Sequence, residues 1–208
     1  MATSSPWPLI HAEREALAAD LGSLTDEQWA TQSLCTGWSV RDVLGHMIAT
    51  AKMTPPKFFA GLAGAGFRFN DMNSKNIARE ATPSPSDGLA EFREHLKDTT
   101  HPPGPVEAML GEAVIHSADI RRPLGMSREY PEEALTRVAD FFKGSNLLIG
   151  TKRRITGLAL RATDTDWSTG TGPEVTGPQL SLVLAMTGRQ AALADLSGEG
   201  LATLRSRG

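Results

Sequence analysis

Residues 111–119 read Gly-Glu-Ala-Val-Ile-His-Ser-Ala-Asp, a largely apolar segment with three side chains able to bind a metal. Glu112 and His116 are four residues apart, so on a helix they lie one turn apart on the same face. Carboxylate oxygen and imidazole nitrogen both bind divalent metals such as zinc. Asp119 follows three residues after His116 and stays near that face. The stretch therefore predicts a helix that carries part of a metal site, and a third ligand has to come from elsewhere in the chain.

His46 is the candidate for the third ligand. It lies in an apolar segment that begins after Ser39, whose hydroxyl can cap a helix together with Asp42 three residues later. Three protein ligands leave one position open, as in catalytic zinc sites, whereas structural zinc usually has four ligands, often cysteines. The chain contains a single cysteine. The sequence thus predicts an open site formed by His46, Glu112 and His116 between two helices.

Simpler interpretations of the same residues stay open. A histidine on an apolar helix is often a hydrogen-bonded core residue, and a glutamate–histidine pair at this spacing is often a surface pair. If all three side chains are buried, however, they need partners, and one metal ion would satisfy them together. Asp42 can orient His46 or cap its own helix, and capping is favoured. Asp119 can orient a metal-bound imidazole, or it can pair with Arg121 or Arg122.

Two further side chains have weaker functional interpretations. Cys35 could be a nucleophile, but nothing near it in the sequence would lower the pKa of its thiol, so a packing role is favoured. Arg189 lies on a predicted apolar helix and could bind an anion, or its stem could cover apolar neighbours at the surface. The HExxH motif of metalloproteases and the GxGxxG motif of dinucleotide-binding folds are absent. The sequence assigns no catalytic residue beyond the metal ligands.

The chain divides into a helical part and a smaller mixed part. Apolar residues at helical spacing, with proline or glycine near the ends, predict a helical bundle over residues 1–150. Residues 151–208 are expected to form a small αβ region packed on the bundle. The main predicted helices span residues 8–21, 39–54, 73–80, 87–99, 106–120, 131–150 and 180–196, and the predicted strands span residues 155–163 and 174–176.

The composition excludes several classes of function. The 208 residues are 40% hydrophobic and 22% charged, with a formal net charge of -3, as in ordinary soluble globular proteins. No basic cluster interleaved with aromatic residues indicates a nucleic-acid interface, and no apolar run approaches the ~20 residues of a membrane span. The first six residues lack the basic and apolar segments of a secretory signal. Because one cysteine fits a reducing compartment, we expect a cytoplasmic protein without nucleic-acid or membrane partners.

Three ordered segments resemble the mycothiol-dependent maleylpyruvate isomerase family, which belongs to the DinB-like metal-binding four-helix bundles. Residues 33–46 are similar to its first signature, residues 111–125 to its second, and residues 157–189 to its C-terminal portion. The resemblance implies a mainly α fold: a DinB-like four-helix bundle with a small C-terminal αβ appendage. It implies a divalent metal, usually zinc, held by His46, Glu112 and His116. It also implies an actinobacterial, cytoplasmic protein that can use mycothiol as its thiol cofactor.

Together these features predict a metal-dependent enzyme that activates a low-molecular-weight thiol. The thiolate would add to an electrophilic substrate, giving isomerisation or S-transfer. Arg189 is the candidate for binding a carboxylate of the thiol or of the substrate. Two alternatives stay open, namely a non-catalytic metal- or ligand-binding protein of the same fold and a metal-water hydrolase that needs no thiol. The sequence shows no interface signature, so the oligomeric state is left open.

Overall fold

The computed structural model describes residues 4–80, 84–146 and 149–208. They form two compact units that divide after Arg128, here called the N-terminal and C-terminal units. No helix among the described residues is long and apolar enough to cross a lipid bilayer. The helices are α1 (Trp7–Asp20), α2 (Asp26–Trp29), α3 (Val40–Ala51), α4 (Pro55–Gly64), α5 (Phe69–Glu80), α6 (Pro85–Glu94), α7 (Val106–Arg121), α8 (Glu132–Gly144), α9 (Thr151–Ile155), α10 (Gln179–Met186) and α11 (Leu201–Arg205), and the strands are β1 (Ala159–Ala162), β2 (Ser168–Gly170) and β3 (Glu174–Gly177).

Four helices of the N-terminal unit pack in a closed ring. Helices α1 and α3 each contact both α6 and α7, so every member of the ring has two neighbours. Their apolar faces share one core, in which Leu17, Val43, Phe92 and Ile120 are fully buried. Helix α5 packs along α3, and it occupies the polar stretch in which the sequence predicts a helix over residues 73–80. This arrangement confirms the predicted mainly α fold with a four-helix bundle.

The division between the two units differs from the predicted domain boundary at residue 150. Helix α8 belongs to the C-terminal unit because it packs against α9 and α10 rather than within the bundle ring. The Trp167 indole donates a hydrogen bond to Asp140 of α8 at 3.1 Å, and the Gln179 amide donates to Thr136 at 3.2 Å. Residues 1–3, 81–83 and 147–148 lie outside the described residues, and among the predicted helices and strands only the helix 131–150 extends over any of them.

The C-terminal unit contains a three-stranded sheet in the order β2-β1-β3. Strand β1 runs antiparallel to β2 and parallel to β3. Strands β1 and β3 lie at the predicted strand positions, whereas β2 lies in a stretch without a predicted strand. The predicted helix 180–196 is interrupted, because α10 ends at Met186 and Gly188 has a φ of 97° that side-chain-bearing residues rarely adopt. The chain then continues as a 3-10 helix, Gln190–Asp195.

Helix α3, which carries His46, begins with a capping box. Ser39 Oγ accepts a hydrogen bond from the Asp42 amide at 3.2 Å, and Asp42 Oδ2 accepts one from the Ser39 amide at 2.8 Å. The favoured capping role of Asp42 is therefore confirmed. Because the first turn is fixed in this way, the register that places His46 about two turns later is fixed as well.

Ser39→Ala should lower the free energy of unfolding by about 1 kcal/mol, because the Asp42 amide loses its side-chain acceptor. Chemical denaturation measures this change. Ser74→Ala is a matched control, since Ser74 lies on the exposed side of α5 and has no hydrogen bond among the described residues. An equal loss in both variants, or no loss in Ser39→Ala, would contradict the capping role.

Candidate metal centre

Two of the three predicted metal ligands meet between helices α3 and α7. The imidazole rings of His46 and His116 lie edge to face, with 4.8 Å between their centroids. The indole of Trp38 packs beside both rings, at centroid distances of 5.3 Å and 6.4 Å. Trp38 directly precedes the cap of α3, so the start of this helix also supplies an apolar wall next to the two histidines.

His46 is oriented by a side chain from α5. Its Nδ1 lies 3.0 Å from Oδ1 of Asn73. Since the amide oxygen can only accept, Nδ1 carries the proton, and in the neutral ring Nε2 is then the nitrogen with a lone pair. The sequence indicates a helix around Asn73 but contains no signal for this contact, because the two residues lie on different helices.

His116 is oriented by Asp119 of its own helix. His116 Nδ1 donates to Asp119 Oδ2 at 2.9 Å, and this oxygen also accepts a hydrogen bond from the Cys35 thiol at 3.0 Å. Burial lowers the pKa of His116, but the contacts with Asp119 and Cys35 outweigh burial and raise the pKa to about 9. Of the two open interpretations of Asp119, the structure thus supports the one in which it holds an imidazole.

Glu112 lies one helical turn before His116; the residue is half-buried, but both of its carboxylate oxygens are buried. Neither of its carboxylate oxygens has a hydrogen bond among the described residues. Burial raises the pKa of Glu112, and the nearby charges of Arg14 and His116 offset this only in part. Arg14 is itself buried on α1, where its Nη1 donates to the Asp98 carbonyl at 3.1 Å. A buried carboxylate without a donor is costly, which favours a cation beside it.

Two donor sets therefore share His116. The described ligand atoms that all lie within 4.8 Å of one another belong to Cys35, His116 and Asp119, a group that includes neither His46 nor Glu112. In this group the thiol, carboxylate and Nδ1 already contact one another, with 3.8 Å between Cys35 Sγ and His116 Nδ1. The sequence favours a packing role for Cys35; the half-buried residue does pack against the core, but its thiol also contacts Asp119.

Arg189, the predicted anion-binding residue, lies in the C-terminal unit. It occupies the N-cap position of the 3-10 helix Gln190–Asp195 without a side-chain capping bond, and its Nη1 donates to the carbonyl of Thr187 at 3.0 Å. The structure thus shows a local role for its guanidinium. Its binding of a carboxylate stays a prediction.

Comparisons with known proteins identify the family of the chain. No curated protein matches its sequence. Over 93% of the chain the fold resembles crystal structures of the mycothiol-dependent maleylpyruvate isomerase and of a histidine-to-alanine mutant of it, with 91% of each of those chains covered. The TM-scores are 0.64 and 0.63, and the sequence identities 16% and 15%. Residues 10–121, more than half of the chain and including His46, Glu112 and His116, match the family model described as the mycothiol maleylpyruvate isomerase N-terminal domain. The chain therefore belongs to the mycothiol maleylpyruvate isomerase family.

Proposed function

We propose that the N-terminal unit binds a divalent metal, zinc in the first instance, through His46, Glu112 and His116, and that the protein activates a low-molecular-weight thiol there. The observation that carries this proposal is the buried carboxylate of Glu112, which has no hydrogen-bond partner in the described part of the chain and lies one turn from a histidine that faces another histidine. A metal ion would be a partner for all three groups at once, whereas burial of the carboxylate without a partner costs free energy.

The rival donor set of Cys35, His116 and Asp119 is less favourable. Its three groups are already hydrogen-bonded to one another, so a metal would have to displace contacts that are in place. A carboxylate that accepts from Nδ1 of a histidine is the usual support of a ring that coordinates through Nε2. Asp119 and Asn73 both make this kind of contact, to His116 and His46 respectively. They would thus hold the two rings in place for coordination through Nε2.

The chemistry of such a site suits a thiol. A bound divalent metal acts as a Lewis acid that lowers the pKa of a thiol ligand and so supplies a thiolate at neutral pH. The protein contributes one negatively charged ligand and two imidazoles that are held in place. The apolar face of Trp38 keeps water away from one side of the site. In isomerisation, the thiolate would form a C–S bond at an alkene carbon while the π electron pair moves onto the conjugated electron-withdrawing group of the substrate. The resulting single bond rotates, and return of the electron pair restores the double bond as the C–S bond breaks and the thiolate leaves.

The solved structures that the fold resembles are of a mycothiol-dependent maleylpyruvate isomerase, so mycothiol is the thiol we propose, with an electrophilic small molecule as the acceptor. S-transfer differs only in that the C–S bond is kept. We further propose that the protein works in the reducing cytoplasm of an actinobacterium, where the free thiol of Cys35 would stay reduced.

The metal content of purified variants tests the ligand set. We expect about one divalent ion per wild-type chain and a large loss of metal in His46→Ala and His116→Ala, while Cys35→Ser retains the ion. His101→Ala is the matched control, because the described contacts of this histidine are a hydrogen bond with the neighbouring Pro102 carbonyl at 2.7 Å and a ring contact with Trp7. Full occupancy in both histidine variants would contradict the proposed site, and loss of metal in Cys35→Ser alone would favour the rival set.

Turnover assays then separate the enzymatic alternatives. Removal of the metal by a chelator should abolish thiol-dependent conversion of an electrophile, and adding the metal back should restore it. Thiol binding without conversion would indicate a binding protein. Conversion without any thiol would indicate a metal-water hydrolase.

A further inference from the structure

Three guanidinium groups line one cavity of the C-terminal unit. The cavity has a volume of about 470 Å³ and is lined by Arg153, Arg154 and Arg207 together with Gly150 and Thr156. Its size falls in the range of small-molecule sites, which is roughly 300–1,000 Å³. Three positive side chains at the wall of a single cavity are unusual in a chain whose formal net charge is -3.

Two of these guanidinium groups are held in place by backbone carbonyls. Arg154 Nη1 donates to Met186 at 2.7 Å and to Ile149 at 3.2 Å, and Arg154 Nε donates to Arg207 at 3.2 Å. In return, Arg207 Nη1 donates to the carbonyls of Arg154 at 3.0 Å and Thr156 at 2.7 Å. These acceptors fix the positions of the groups but do not neutralise their charge.

No carboxylate among the described residues pairs with any of the three arginines. Other cations of the same unit are paired, as Arg161 is with Glu174 at 2.7 Å and Lys143 with Asp140 at 2.6 Å. The three cavity arginines therefore form a group of like charges without a counter-ion among the described side chains. Arg154 is half-buried and Arg153 and Arg207 are exposed, and an anion in the cavity would offset the repulsion of Arg154 by Arg153.

The electrostatics of Arg154 agree with this picture. Burial lowers its pKa, and the positive charges of Arg153 and Arg189 lower it further. Arg153 Nη2 lies close to Gly150, 3.5 Å from the position that a Cβ would take at this residue. The guanidinium of Arg153 lies at the wall of the cavity. It makes no hydrogen bond with any of the described residues.

We propose that this cavity binds a small multivalent oxyanion, either a dicarboxylate or a phosphate monoester. The planar fork of a guanidinium group matches the oxygens of carboxylate and phosphate and binds either through paired hydrogen bonds. A ligand with two negative charges offsets several of the arginines at once. This site lies wholly within the C-terminal unit and does not depend on the metal site of the bundle.

Isothermal titration calorimetry of the full chain tests the site, with inorganic phosphate and succinate as separate probes in a buffer free of both ion types. We expect at least one probe to bind saturably with a dissociation constant of about 1 mM or tighter. Arg153→Gln should weaken that binding by about tenfold or more, and its fold should be unchanged, because no described hydrogen bond is lost. Arg161→Gln removes a guanidinium of the same unit outside the cavity and should bind like the wild type.

The two probes distinguish the sources of the anion. Binding of phosphate alone assigns a phosphate monoester, and binding of succinate alone assigns a dicarboxylate. The proposal is overturned if neither probe saturates, if Arg153→Gln binds as the wild type does, or if Arg161→Gln weakens binding equally.

Discussion

Glu112→Gln is expected to weaken divalent-metal binding on the order of a hundredfold or more while making the metal-free protein more stable. An amide is a much poorer metal ligand than a carboxylate, and one of three protein ligands is lost. In the metal-free chain the same substitution removes a buried group that burial disfavours in its charged form, since neither oxygen accepts a hydrogen bond. We expect a gain of about 1 kcal/mol in the free energy of unfolding.

Metal affinity is expected to fall while the stability of the metal-free protein rises, and this combination distinguishes a metal ligand from a purely structural residue. A residue that only packs or only stabilises the fold would lose stability in the metal-free form when substituted. Denaturant unfolding with and without a chelator measures both forms, and metal titration with a competing indicator measures the affinity. Glu94→Gln is the matched control, because Glu94 is exposed on α6 and should change neither quantity. A metal affinity that stays at the wild-type value would contradict ligation by Glu112.

The local patterns of the sequence predict the helices that carry this site. Helix α7 is predicted over residues 106–120 and found at Val106–Arg121, because prolines bound an apolar stretch with helical spacing. The capping box of α3 is equally local, since Ser39 and Asp42 are three residues apart. Such features depend on neighbouring residues alone, so one sequence contains them in full.

The contacts that surround the candidate ligands are not local, and the sequence does not reveal them. Cys35 and Asp119 are 84 residues apart in sequence, and so are Arg14 and the Asp98 carbonyl. Glu13 and Arg14 lie at helical spacing between the apolar Ile10 and Leu17 of α1, and both charged residues are buried. A charged side chain is buried only where a distant partner compensates for it, and spacing within one helix carries no information about that partner.

The burial of Glu13 has its own explanation in an ion cluster between α1 and α7. Arg121 donates to Glu13 and, at 2.7 Å, to Asp20, while Arg128 donates to Glu13 at 3.3 Å. The side chains of Arg121 and Glu13 are only 2% and 4% exposed. The two main bundle helices that meet here are thus joined by charges that have lost most of their water, so each depends on the other.

Glu13→Gln should therefore destabilise the protein by about 3 kcal/mol, because it removes the buried carboxylate that Arg121 contacts, while the Asp20 carboxylate that Arg121 also contacts is more exposed. Urea unfolding measures the loss. Glu15→Gln is the matched control two residues along the same helix, since its pair with Lys97 is exposed and should contribute less than about 0.5 kcal/mol.

The double variant Glu13→Leu/Arg121→Met distinguishes the cost of an unpaired charge from the value of the pair. Both charges then leave the interior together, and apolar side chains of similar volume fill the space. We expect it to recover most of the stability that Glu13→Gln loses, to within about 1 kcal/mol of the wild type. If the double variant is as unstable as the single one, the ion pair itself stabilises the contact between α1 and α7. The attraction within the pair then exceeds the cost of removing the two charges from water.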